Sequence, residues 1–542
     1  MRFWQKIQGK KVSRRIIGPT ALLLLAVAFS SMPLFVGCRP TPTPEGSSGV
    51  VHWIHPDDAA LLAGSIWPQG AFSEHDFPRV YAAWLRWGDW TPDRDNIKLF
   101  HIAELQCGAR GDTASPPICQ YLKNQNPELK LFVCMPASFE QANWQEWIDW
   151  GTRYSCRGYH GQEINNCSWW LNDSGGTPVN IGYGTWATNC SSHSFEGCGQ
   201  DYNQWYGNYL AGGYVFNDAT CDWDGIRLDR AGYHKRQLEY PQNVDQDRNS
   251  VADQSEHGIP WINDQFAAGA NTYMADFLSL QPTGYIGGNA MWRHESMAYA
   301  TNPFSEGGNA TIAMNEWWPW NCMYEDWHNA GGSFARTCDW SCQMEQYVDW
   351  IDTVGSDATW VSLGCDYNFL RGQYRAMRFG LGSTMLDDGY FGYQEDCLAG
   401  YSNVELYDEY WVNTTTFNAQ ADLPNLGYCG QPIGPAYSLD DGETLRKKIT
   451  DGDDLDAVCW WRQFDNCMVL VNPTNGTCNF TDLGTSWRHF WGGQAPSIND
   501  GSLVVDSETV ASEDAEILLF RTGEATPTPT PGDTPTPTPT GT

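Results

Sequence analysis

Positive charge is scarce in this chain. Its 32 Lys and Arg stand against 65 Asp and Glu, a formal net charge of −33. Six of the cations (Arg2, Lys6, Lys10, Lys11, Arg14, Arg15) fall in the first 37 residues, so 26 remain against 65 acids, or −39. That balance opposes nucleic acid or an anionic membrane surface as a partner. Among 18 cysteines there is no CxxC, so zinc ribbons and dithiol redox motifs are unsupported. The 11 histidines form no HxH or HExxH, which leaves a His-built metal hydrolase without its ligands.

What is present begins with an export signature. The basic n-region is followed by a mostly apolar run, Ile16 to Met32, and then by Phe35-Val36-Gly37-Cys38. A cysteine after a small residue resembles a lipoprotein signal, with Phe35 where leucine is usual; a plain signal peptide is the alternative. Residues 1–37 are read as the signal, and Cys38 as the membrane's only attachment, through a lipid. Residues 38–49 are a Pro/Thr linker, and 523–542 a Thr-Pro stalk that stays extended and buries nothing. The cysteine content fits an oxidising compartment. Plausible local bridges are Cys107–Cys119, Cys156–Cys167, Cys190–Cys198 and Cys459–Cys467, with Cys478 a rival partner for either member of the last.

Residues 50–427 read as short apolar strands separated by long connections: Val80 to Trp84, Ile97 to Ala103, Leu129 to Met135, Gly225 to Asp229, Tyr285 to Ala290, Thr311 to Glu316, Thr359 to Leu363 and Ser383 to Asp387. Helical stretches lie between several of them, at 144–154, 203–210, 264–280, 343–354 and 371–379. Eight strand–helix units imply a (β/α)8 TIM barrel of the α/β class. The connection from Leu85 to Asn96 is short for a crossover, which would put the first strand outside the barrel. Residues 136–222 form a long insertion. Residues 428–522 change texture: Ala457 to Arg462 and Cys467 to Pro473 read as a hairpin, and the region as a small antiparallel β-sandwich.

In a barrel the chemistry sits at strand C-termini. Asp229 ends Gly225-Ile226-Arg227-Leu228-Asp229, and Arg227 shares its side of the strand by period-two alternation. A cation there would keep the carboxylate ionised; a structural Arg–Asp pair is the plainer reading. Glu316 precedes Trp317-Trp318-Pro319-Trp320, and indole neighbours would raise its pKa toward that of a general acid. Two carboxyls with opposed environments match glycosidic bond cleavage. His234, Asn289, Trp317, Trp318, Asp388 and Arg227 are candidates for holding a sugar, the indoles as flat platforms. Asp388 is placed at the end of the last strand. No cofactor is required. The one metal candidate is Asp245, Asp247, Asn249 and Asp253, whose spacing resembles a calcium loop, although Ser250 stands where glycine is expected and Arg248 intrudes; an acidic solvated loop is the rival reading.

The run Asp224 to Asp229 with His234 resembles the nucleophile region of the α-amylase superfamily, the His coming one residue late. The chain from about Val80 to Arg521 resembles the hypothetical glycosyl hydrolase family 15, on Trp223 to Asp229, Ala313 to Glu316, Arg378 to Phe391 and Val469 to Pro473. The resemblance implies a glycosidase barrel with a C-terminal β domain. The expectation is an exported, surface-anchored, monomeric glycoside hydrolase acting on a poly- or oligosaccharide through Asp229 and Glu316, with retention. A non-catalytic glycan-binding lipoprotein on the same scaffold is the alternative.

Overall fold

The computed structural model describes residues 48–50, 75–85, 93–106, 116–136, 139–141, 166–182, 185–194, 196–212, 215–217, 221–229, 243–289, 308–319, 340–354, 359–364, 373–394 and 404–521. Eight parallel strands form one sheet in chain order. They are β1 (Tyr81–Leu85), β2 (Ile102–Gln106), β3 (Lys130–Pro136), β4 (Gly225–Asp229), β5 (Tyr285–Asn289), β6 (Ile312–Trp318), β7 (Thr359–Gly364) and β8 (Tyr390–Tyr393). Val80 bridges Phe391 in parallel, and the Phe391 N–H donates to the Arg79 carbonyl at 3.0 Å, so the sheet nearly closes. Crossover helices include α1 (Ile118–Gln125), α2 (Tyr202–Ala211), α3 (Ile259–Leu280), α4 (Trp340–Val354) and α5 (Gln373–Met385). Parallel neighbours need such crossovers, and the result is a (β/α)8 barrel.

Alternation along each strand divides the core in two. Tyr81, Ile102, Phe132, Ile312, Met314, Val361, Leu363 and Tyr390 fill the barrel interior. Ala103, Leu105, Leu131, Val133, Ile226, Leu228 and Ala313 face the helical layer. Buried on both faces, these strands read as continuous apolar runs. Helix α3 follows Gly258 (φ 86°) and carries Pro260 in its first turn, a favourable place for proline. Its stripe of Ile262, Phe266, Ala270, Tyr273 and Phe277 is buried. No helix among the described residues is long and apolar enough to cross a membrane.

Several expectations change. The first strand belongs to the barrel: β2 starts at Ile102, not Ile97, and Arg94–Ile97 is one helical turn inside a longer connection. The segment read as the eighth strand, Ser383 to Asp387, is the end of α5 and its turn, and the strand is Tyr390–Tyr393. Helix α5 is buried on every side from Ala376 to Met385, so it has no polar face to reveal a 3.6-residue period. Of the helical stretches, 144–154 lies outside the described residues.

The C-terminal region is antiparallel. Strands β9 (Tyr437–Ser438), β10 (Trp460–Gln463), β11 (Cys467–Asn472), β13 (Trp487–Arg488) and β15 (Asp514–Phe520) make one sheet, in the order β9-β10-β11-β15-β13. β12 (Cys478–Thr481) and β14 (Ser507–Val510) make a second, which Ser48–Val50 joins in parallel with β12. The end of the N-terminal linker is thus a strand of the C-terminal sheet. Met468, Leu470, Phe480, Val510 and Leu518 pack in one cluster that spans the two sheets. The other face of the larger sheet lies on α5. A Cβ at Gly382 would stand 2.4 Å from the Ala515 Cβ, so only glycine permits this approach. Arg378 clasps Asp514 with two hydrogen bonds of 3.0 and 2.8 Å, both residues buried.

The described disulfides are Cys119–Cys221, Cys167–Cys198, Cys429–Cys467 and Cys459–Cys478. They replace all four expected local bridges, and Cys478 takes Cys459 as the rival reading allowed. Sequence proximity misled because the hairpin register, Trp460 with Val471 and Gln463 with Met468, sets Cys459 and Cys467 at opposite ends of the strand pair. Cys190 is a buried thiol whose pKa burial pushes up to about 12.

Candidate functional site

The strand register fixes where the candidate carboxylates stand. Leu228 pairs with Gly288, and Asn289 with Met314, so Asp229 and Asn289 end β4 and β5 at one level. Ile312 and Met314 face the barrel interior, and Glu316, in register with Leu363, is the next position in that alternation. Asp229 likewise follows Arg227 by two. One strand, β5, separates β4 from β6, so the two backbones run about 10 Å apart. Of Asp229, Asn289, Glu316 and Trp317 only the backbone is described, and His234 lies outside the described residues.

Beneath these strand ends lies a buried charge pair. Arg227 is 1% and Glu104 0% exposed, and Nε of Arg227 is 3.5 Å from Oε2 of Glu104. The Tyr81 hydroxyl donates to the same Glu104 oxygen. The Arg227 guanidinium also reaches Met314 Sδ at 3.1 Å and Cys134 Sγ at 3.4 Å. Burial, then the Glu104 charge, pushes the Tyr81 phenol well above its ordinary pKa, so it remains a donor. Sequence reasoning did not pair Glu104 with Arg227; the strand register, which sets Glu104 level with Phe132 and Gly225, brings them together.

Other candidates move out of the site. Arg227 is too deeply buried to touch a sugar, and its place is beneath the rim. Trp318 is no platform: it is 0% exposed, donates from Nε1 to the Gly380 carbonyl at 3.1 Å and packs edge-on against Tyr347 and Trp360. It follows Glu316 by two, but the register slips between them, and the slip turns it to the helical layer. Asn315 faces α4, donating to Gln343. Asp388 precedes β8 and so lies at the N-terminal end of the barrel. It is 4% exposed and salt-bridged to Arg79 at 3.0 Å, which makes it a structural acid. Trp169, Trp170, Trp460 and Trp461 are all buried core.

The calcium-loop candidate is exposed at its tip, from Asn249 to Val251, and buried at its base. Asp245 is 3% and Asp253 0% exposed. One oxygen each of Asp245, Asp247 and Asp253 lies within 4.8 Å of the others. Burial raises both pKa values, that of Asp253 to about 6.

The sequence matches no family model and no curated protein. Among solved structures, the chain is similar to an Anoxybacillus alpha-amylase at 10% identity, covering 80% of this chain and 89% of that one, with a TM-score of 0.38. It is similar to the glycoside hydrolase domain of PelA from Pseudomonas aeruginosa at 13% identity, covering 60% and 99%, with a TM-score of 0.34. The trehalulose synthase MutB from Pseudomonas mesoacidophila is similar at 12% identity, covering 83% and 99%, with a TM-score of 0.39.

Proposed function

We propose that this chain is an exported, surface-anchored glycoside hydrolase that cleaves a poly- or oligosaccharide with two carboxyl groups. The observation that supports the reading is the register: Asp229 and Glu316 follow the buried Arg227 and Met314 by two along β4 and β6, on strands flanking β5, beyond the Arg227–Glu104 pair. Glu316 acts as general acid and gives its proton to the glycosidic oxygen as the bond to the anomeric carbon breaks. Asp229 attacks that carbon from the opposite face. Water, deprotonated by Glu316, then releases the sugar with its configuration retained. Arg227 sustains the charge of Asp229 from below. Asn289, His234 and Trp317 orient the ring. The resemblance to the α-amylase nucleophile region favours an α-linked substrate.

The test is a screen of polysaccharides and aryl glycosides with product anomers read by NMR, repeated on Asp229→Asn and Glu316→Gln. Each variant is expected to lose about 10²–10⁴-fold in kcat while sugar binding persists. Wild-type turnover in either variant removes that residue from the mechanism, and inverted product removes Asp229 as nucleophile.

A further inference from the structure

Outside the barrel mouth, one loop has the makings of a second site, and it is independent of the hydrolase reading. Residues 245–256 read Asp-Gln-Asp-Arg-Asn-Ser-Val-Ala-Asp-Gln-Ser-Glu. Counting Asp245 as one, oxygen-bearing groups fall at one, three, five, nine and twelve (Asp245, Asp247, Asn249, Asp253, Glu256), with the Val251 carbonyl at seven. That is the spacing of a twelve-residue calcium loop, and the twelfth position, Glu256, adds a donor beyond the four singled out from sequence. We propose that this loop binds one calcium ion.

The backbone performs the turn that the spacing demands. Position six is Ser250, with φ at +68°, the left-handed conformation that glycine supplies elsewhere. Its N–H donates to Asp245 Oδ2 at 2.9 Å, and that of Asn249 to Oδ1 at 3.1 Å, which folds the loop around the first carboxylate. Arg248, the apparent intruder, leaves the loop: its Nη2 donates to the carbonyls of Ser168 and of Trp170, the latter at 3.0 Å.

These features would describe an ordinary acidic turn were it not for Asp253. Its Oδ2 accepts from the Gln246 N–H at 2.8 Å, while its Oδ1 is buried without a hydrogen-bond partner. A fully buried carboxylate with an unpaired oxygen, beside two more carboxylates, costs several kcal/mol unless a cation compensates it. Among the described residues the cationic influences on these carboxylates are longer-range ones, of Arg248 on Asp245 and of His257 on Asp253. Three converging carboxylates, Asp245, Asp247 and Asp253, with Asp247 also lying beside Glu256, form a hard oxygen donor set that suits calcium rather than copper.

The location gives the ion a task. Val244–Asp245 pairs with Asn172–Asp173 of the insertion, and Asn189 Nδ2 donates to the Gln246 carbonyl at 2.8 Å. Helix α3 starts three residues after Glu256, and a Cβ at its Gly269 would stand 2.0 Å from the Cys190 carbonyl. The loop is therefore the joint between barrel and insertion, and an ion there fastens both.

The experiment uses the full chain, stripped with EGTA and titrated with calcium by calorimetry and thermal unfolding. One equivalent is expected to bind with a Kd below about 1 mM, and Tm is expected to rise with calcium concentration. Asp245→Asn and Asp253→Asn should each weaken binding by about tenfold or more, because affinity follows ligand charge. In EGTA both should be at least as stable as the stripped wild type, since each relieves buried repulsion. Ser250→Gly should fold and keep the site, and its calcium response remains readable if an Asn variant fails to fold. Absence of binding at millimolar calcium in the wild type and in Ser250→Gly overturns the proposal. So does an equal calcium response in wild type and both Asn variants.

Discussion

Glu104 has a place at the bottom of the cleft that no strand-end rule assigns to it. It is the described counter-charge of a guanidinium that is 1% exposed, and Tyr81 satisfies it further. Removing one partner of a buried pair leaves the other charge uncompensated, which costs far more than the pair contributes. Glu104→Gln is therefore expected to destabilise the protein by about 3 kcal/mol, read by urea denaturation. Tyr81→Phe removes one hydrogen bond to a charged group and should cost about 2 kcal/mol. At this scale the sequence was informative about Arg227, a lone cation in an otherwise apolar buried strand. It was silent about Glu104, whose partner is 123 positions away and only adjacent once the strands align.

Among the elements, α5 separates what a pattern can reveal from what it cannot. The run Arg378 to Met385 looked like part of a functional motif leading into a strand. In the structure it is a helix pressed between barrel and sandwich, where Arg378 holds Asp514 and Gly382 admits Ala515. Its invitation to be read as a strand came from burial on all sides, the same reason that β-strand cores read as apolar runs. Gly382→Ala would gain about 1 kcal/mol in helix propensity, but the added Cβ forces the two layers apart. The net expected outcome is a loss of about 1–3 kcal/mol in thermal or denaturant unfolding. Helix α3, by contrast, was legible from its apolar stripe, because its remaining faces carry polar and partly exposed residues.

Across the whole molecule, the barrel and the C-terminal region are joined by charge as well as by packing. Asp387, buried at the turn after α5, lies 3.0 Å from Arg446 of α6 (Leu445–Asp451), and Arg462 of β10 donates to the Asp387 carbonyl at 2.8 Å. Burial pushes the Asp387 carboxyl up to about 6 even though Arg446 and Arg462 pull it down. Between the ordinary aspartate value and about 6, the folded protein holds a proton that the unfolded chain has released. This contribution is present in full below that window and is lost as pH rises through it. Asp387→Asn should flatten the fall in Tm across that interval, and an unchanged pH profile would contradict the assignment. The (β/α)8 order and the trailing β region were legible at this scale because strand and helix signals alternate and then stop. The disulfide map and the docking of Ser48–Val50 were not, since both depend on which surfaces meet after folding.

That short N-terminal strand has a mechanical consequence. Ser48–Val50 runs parallel to Cys478–Thr481, so tension applied ahead of Ser48 shears the ladder with β12 before it reaches β1 of the barrel. The Cys459–Cys478 bond then passes the load from β12 to its partner sheet. The small domain takes the strain, and the barrel strands are shielded from the pull.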